Sequence, residues 1–147
     1  MRVLIATIGA RQARLAAPLF LDYLERIRRY IPCELRDFAS EAKLLAFLDA
    51  AAARTTPAML LTDSRGQALN SEELAGAIGK LRDGGLQQLV VAIGPADGWS
   101  PEALGRAQLK ISFGRITLPH DLAAIIAAEQ VYRAFTILAG HPYHSGH

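Results

Sequence analysis

Along this chain, short runs of apolar residues alternate with stretches in which apolar residues recur every three or four positions. Val3 to Ile8 is apolar nearly throughout, as a strand covered on both faces of a sheet must be, and Gly9 ends it. Over about Ala13 to Tyr30, the spacing of Leu19, Phe20, Tyr23, Leu24 and Ile27 predicts a helix, with Pro18 tolerated near its start. Glu34 to Phe38 alternates as an exposed-edge strand does. Ser40 is placed to cap a helix running to about Ala53, with Leu44, Leu45, Phe47 and Leu48 as its buried stripe. Ala58 to Thr62 predicts a strand, and Asp63-Ser64-Arg65-Gly66 a turn-rich loop at its carboxyl end. Ser71, followed by Glu72 and Glu73, predicts the cap of a helix that stops at Gly84-Gly85. Leu89 to Ile93 is the most hydrophobic strand and opens into Gly94 to Trp99. Ser100-Pro101-Glu102 starts a short helix, Gln108 to Phe113 forms a fifth strand, and Gly114 to Thr117 leads into a last helix ending at Leu138.

Strands alternating with helices predict an α/β fold with a mostly parallel sheet flanked by helices. A chain of 147 residues, 51% of them hydrophobic, fits a single domain spanning 1–147. Cys33 is the sole cysteine and reads as a packing residue, which makes a cytoplasmic setting the default. No apolar run approaches the length of a membrane span, and no metal-ligand motif is present, so neither a membrane nor a metal is expected as a partner.

The net charge of +2 hides an asymmetry: the first 36 residues hold seven arginines against Asp22, Glu25 and Glu34. Arg11, Arg14, Arg26, Arg28, Arg29 and Arg36 could form a basic face for phosphates, or an ordinary solvated helix surface; charge alone leaves both readings open. Three glycine-containing loops, Asp63 to Gly66, Gly94 to Gly98 and Gly114 to Leu118, each follow a strand. That is where α/β sheets bind ligands, although none of the loops matches a dinucleotide or phosphate-binding fingerprint. After the last helix come His141-Pro142-Tyr143-His144, two imidazoles and a phenol on a polar tail that no core position requires. They are candidates for ligand contact, or an ordinary terminus. His120 reads as structural or cofactor-adjacent, Glu129 and Arg133 as an intrahelical pair, and Trp99 as a loop residue packed on the domain.

The run Leu118-Pro119-His120, the block Glu129 to Phe135 and the tail His141 to His144, joined by Asp63 and Gly66, Ser71 to Ala75, Ile93-Gly94, Gly98 and Ser100-Pro101, resemble the ribosomal large-subunit methyltransferase H family. The family consists of small SPOUT methyltransferases. The resemblance implies a deep C-terminal trefoil knot that holds S-adenosylmethionine, with Thr62, Ile93, Gly94, Gly98, Phe113, Ile116 and Leu118 as its contacts. It implies a homodimer that methylates N3 of a pseudouridine in large-subunit ribosomal RNA, presented on the large subunit or the assembled ribosome. It implies Tyr143 and His144 as catalytic residues, and Arg11, Arg26, Arg29 and His141 facing RNA.

The chain also departs from the family. Gly94-Pro95-Ala96-Asp97-Gly98 stands where the family reads Gly-Gly-Pro-Glu-Gly, and the displaced proline removes one N–H and restricts φ. Ala124, Ser145 and Ala10 replace basic residues, changes that read as weaker contact with RNA phosphate. The variant loop keeps a second expectation in view, a non-enzymatic RNA- or ribosome-binding relative that has lost the cofactor.

Overall fold

A computed structural model describes residues 1–10 and 17–146. Five parallel strands form one sheet: β1 (Arg2–Ile8), β2 (Cys33–Phe38), β3 (Ala58–Gln67), β4 (Gln88–Ile93) and β5 (Leu109–Ile111), in the order β2-β1-β4-β3-β5. The connections carry α1 (Pro18–Arg28), α2 (Glu41–Ala52), α3 (Ser71–Asp83) and α4 (Pro101–Arg106); α5 (His120–Leu138) follows β5, and a separate 3-10 turn lies at His144–Gly146.

Because strand side chains alternate between faces, β1 to β4 each feed two cores. Val3, Ile5, Leu60, Leu89, Val91 and Ile93 pack with Phe20, Leu24 and Ile27 of α1, Leu74 and Ile78 of α3, and Val131 and Phe135 of α5. Leu4, Ala6, Met59, Leu61, Val90 and Ala92 face the other way, against Leu44, Leu45 and Leu48 of α2 and Ala103 of α4. Covering on both faces is why the central strands read as unbroken apolar runs. Cys33 is buried in the first core, and burial pushes its thiol up to about 12, so it is a neutral packing group.

The predicted caps hold at Ser40, whose Oγ accepts from Lys43 N at 3.3 Å, and at Ser100, whose Oγ accepts from Ala103 N at 3.2 Å. Ser100 also donates from its backbone N–H to Glu41 at 2.8 Å, joining α4 to α2. Some other expected boundaries shift. Asn70, not Ser71, caps α3: its Oδ1 accepts from Glu73 N and the Glu73 carboxylate accepts from Asn70 N, both at 2.8 Å. Ser71 is instead the first helical residue and donates to Gln130 Oε1 at 2.8 Å. The expected loop at Asp63 to Gly66 is the second half of β3, continued with a register break that lets both Thr62 and Gln67 pair with Ile111. β5 is shorter than Gln108 to Phe113, spanning Leu109–Ile111. Of the expected first helix, Pro18–Arg28 is observed, and residues 13 to 16 lie outside the described residues. Phe47 is partly buried and tilts against Phe38 at 5.5 Å between ring centroids.

Ala124 is fully buried in the first core, so it is a packing residue rather than a lost surface charge. Nor do the arginines share one face. Arg26 sits over the rings of Tyr23 and Tyr132 and pairs with Asp22 at 2.9 Å, while Arg36 sits over Phe38 and Phe47 by the opposite core, and Arg28 donates to Cys33 O. Among the described residues, no helix is long and apolar enough to cross a membrane.

The reciprocal cap at α3 gives a direct expectation. Asn70→Ala removes the acceptor for Glu73 N and lowers the unfolding free energy by about 1 kcal/mol, read as an earlier urea midpoint by circular dichroism. An unchanged midpoint would contradict the assignment of the cap to Asn70.

Candidate functional site

One approach of backbones creates the site. A Cβ at Gly66 would lie 2.7 Å from the backbone of Ile111, so β5 and the segment after it can run alongside the second half of β3 only because residue 66 has no side chain. Ser112 N–H then donates to Gln67 O at 2.9 Å, and the Ser112 hydroxyl and Gly114 backbone exchange hydrogen bonds at 3.1 Å. The chain from Phe113 to Leu118 is thereby held across the ends of the strands.

Opposite it stands the loop after β4. Trp99 is buried and its indole Nε1–H donates to Thr62 O at 2.9 Å, tying this loop to β3. Gly94 lies against that indole; a Cβ there would come 2.7 Å from Nε1. Gly98 N–H donates to Pro95 O at 2.9 Å, so the variant loop closes through the carbonyl that proline retains.

Between these segments lies a cleft of about 500 Å³, a size typical of small-molecule sites. Thr62, Ile93, Gly94, Gly98, Phe113, Ile116 and Leu118 all line it. Asp63, Asp97 and Arg115 line it as well, bringing charge from the three glycine-containing loops, and so does His120, read from the sequence as structural or cofactor-adjacent. The Nδ1 of His120 is buried with no hydrogen-bond partner among the described residues, an atom a ligand could satisfy. A second cleft of about 590 Å³ lies on the far side of the partition, sharing Phe113, Gly114, Ile116 and Leu118 and bordered by Glu72. Among the described residues, no group of three or more His, Cys, Asp or Glu side chains is placed to hold a metal ion.

Tyr143 and His144 do not line the first cleft in their own chain, and they are not a loose terminus. Tyr143 packs edge-to-face on Tyr132 with 4.6 Å between centroids, and its hydroxyl donates to Glu129 Oε1 at 3.0 Å. Burial first, and then that bond to a carboxylate, push the phenol above its ordinary range, so it stays protonated and acts as a donor. Arg133 donates to the same Glu129 oxygen at 2.6 and 2.9 Å, and to His144 Nδ1 at 3.0 Å. With side-chain exposures of 13% and 15%, the Arg133–Glu129 pair is shielded from solvent, and the bond to Glu129 raises the guanidinium further. His144 Nε2 lies 2.7 Å from Glu72 Oε1, a contact that holds the Glu72 carboxyl below its usual range. Glu129 and Arg133 are thus an intrahelical pair that also anchors the tail. The contact with Glu72 spans 72 positions, and no local pattern signals it.

Of the residues expected to face RNA, Arg29 and His141 are exposed, Arg26 is engaged with Asp22, and Arg11 lies outside the described residues.

A profile of the family described as predicted SPOUT methyltransferase matches residues 1–144. The chain belongs to the SPOUT methyltransferase family. It is 44% identical over 147 residues to the ribosomal RNA large subunit methyltransferase H of Koribacter versatilis, covering 100% of both chains. It is 39% identical to the protein of the same name from Brucella anthropi, over 98% of this chain and 99% of that one. Two solved structures share the fold at low identity. A probable methyltransferase from Bordetella pertussis superimposes with a TM-score of 0.59 at 16% identity, over 91% of this chain and 96% of that one. A probable methylase family protein from Haemophilus influenzae gives 0.60 at 10% identity, over 98% and 69%.

Trp99 is the chain's one tryptophan and stands beside the cleft. Gly94→Ala must displace its indole from Thr62 O, and the expected result is a red-shifted emission with weaker ligand binding. Wild-type emission in this variant would show that the close packing does not constrain the loop.

Proposed function

We propose that this chain is an S-adenosylmethionine-dependent methyltransferase acting on N3 of a pseudouridine in large-subunit ribosomal RNA. The observation that carries the reading is the convergence of Thr62, Ile93, Gly94, Gly98, Phe113, Ile116 and Leu118 on one cleft, in a chain related over its full length to methyltransferases of ribosomal RNA.

The cleft suits that cofactor on its own chemistry. Backbone N–H and C=O groups of two loops can meet an adenine edge and ribose, the Asp63 and Asp97 carboxylates favour a cationic sulfonium or amine, and His120 Nδ1 lacks a protein partner among the described residues. When bound, the cofactor supplies an electrophilic methyl group, so the protein's work is to orient an acceptor nitrogen, exclude water and take up a proton. We assign that work to the tail. Tyr143, whose hydroxyl is held by Glu129, offers a ring for stacking, and the His144 imidazole offers a proton acceptor. We further assign the family's trefoil knot to the segments around Thr62, Gly94 to Gly98 and Phe113 to Leu118.

Because the tail does not line its own chain's cleft, the reading calls for a homodimer in which the tail of one copy meets the cleft of the other. Exposed Ile116 and Leu122, at 80% and 49%, offer apolar surface beside the cleft for that contact. Arg29 and His141 are open to RNA phosphates, and a ribosomal substrate on the large subunit or the assembled ribosome places the protein in the cytoplasm. The closed turn from Pro95 to Gly98 favours the enzyme over a relative that has lost cofactor use.

The test is transfer of labelled methyl from S-adenosylmethionine to purified ribosomes and to naked ribosomal RNA, with the modified nucleoside identified by mass spectrometry. The expected product is 3-methylpseudouridine, and turnover falls about 10²-fold or more in His144→Ala. A label in any other nucleoside would overturn the assigned acceptor, and no transfer to any RNA would overturn the enzyme reading. His144→Ala is the cleaner tail variant, since Tyr143→Ala also removes ring packing on Tyr132.

A further inference from the structure

We propose that Glu72 is the positioning residue that leaves Nδ1 of His144 as the atom receiving the acceptor's proton during methyl transfer; the proposal rests on the reading of His144 given above. The argument is stereochemical. A guanidinium has donors only, so the 3.0 Å contact between Arg133 Nη1 and His144 Nδ1 requires a lone pair on Nδ1. The single proton of the neutral ring is then on Nε2, and it points at Glu72 Oε1, 2.7 Å away. Two contacts from two helices therefore select one tautomer. A carboxylate on one ring nitrogen with the other left basic is the arrangement by which a carboxylate orients a histidine base and stabilises the imidazolium that forms.

The charged and titratable groups on the elements packed against the tail fit this assignment. From α3 come Glu72 and Glu73, the latter already accepting from Asn70 N. From α5 come Glu129 and Arg133, and from the tail His141, whose Nδ1 accepts from Tyr143 N, and Tyr143, whose hydroxyl is on Glu129. Glu72 is the only acidic partner of the ring among them. Arg133 makes two contacts with Glu129 besides the one with His144, so it can release Nδ1 while remaining paired. In the reaction, the acceptor nitrogen forms its bond to the methyl carbon as the sulfur–carbon bond breaks and the sulfonium becomes a neutral thioether. The imide proton passes to Nδ1, and the resulting imidazolium is balanced by the Glu72 carboxylate across Nε2.

The test combines a spectrum of the free protein with kinetics. Long-range 1H–15N correlation of the His144 ring is expected to show a protonated Nε2 and a bare Nδ1 in the wild type, and a mixture of tautomers in Glu72→Ala. With ribosomes as substrate, Glu72→Ala is expected to lower kcat about tenfold, part of the roughly 10²–10⁴-fold a positioned base supplies, with KM for S-adenosylmethionine unchanged. Glu72→Gln, which keeps an acceptor for Nε2–H without the charge, should restore the wild-type tautomer and part of the loss. A wild-type ring protonated on Nδ1, or Glu72→Ala with undiminished kcat while His144→Ala is impaired, would overturn the role of Glu72. Undiminished kcat in His144→Ala would overturn the reading of the tail itself, and the two failures are thereby told apart.

Discussion

The contact on which the site depends is between two backbones. At Gly66 the second half of β3 comes so close to Ile111 that a single added carbon would lie 2.7 Å from main-chain atoms. Real Cβ atoms do not tolerate that distance in a packed interior, so any side chain would drive β5 outward. β5 is only three residues long, and it directs Phe113 to Leu118 across the strand ends. With that segment displaced, the cleft loses one of its two walls. The Trp99 indole secures the other wall by reaching Thr62 on the same strand, so both walls are referenced to β3. A binding surface built from loops is in this way fixed by a rigid sheet.

The sheet and its helices were legible because their cause is local: apolar runs make two-sided strands, and three-to-four spacing makes amphipathic helices. Val3 to Ile8 and Leu89 to Ile93 read correctly for that reason, as did the caps at Ser40 and Ser100. Asp63 to Gly66 did not. Its polar, glycine-containing composition signals a turn, and only the non-local pairing with Ile111 extends the strand through it. Asn70 and Ser71 are both capable caps, and the reciprocal bond to Glu73 selects the first. The arginines of the N-terminal third form a cluster in sequence but divide between the two faces of the sheet, a consequence of strand order that composition cannot carry.

Family resemblance pointed to seven residues that the fold brings to one cleft, and topology pointed to the carboxyl ends of the strands. The docking of the tail was not. Glu72 reads as the first-turn acid of a helix, complementing its dipole, and that role gives no hint of a histidine 72 positions away. Tyr143 and His144 were notable for having no core to serve, yet the ring of one is half-buried and the imidazole of the other is held from two sides. Such anchoring suits the catalytic role proposed for the tail, because a base contributes to rate only when its basic atom is already aimed.

Cofactor occupancy of the cleft tests the account most directly. Calorimetric titration of the purified protein with S-adenosylmethionine, in the absence of added metal, is predicted to show saturable heat with one equivalent bound per chain. Absence of binding at millimolar cofactor would contradict it.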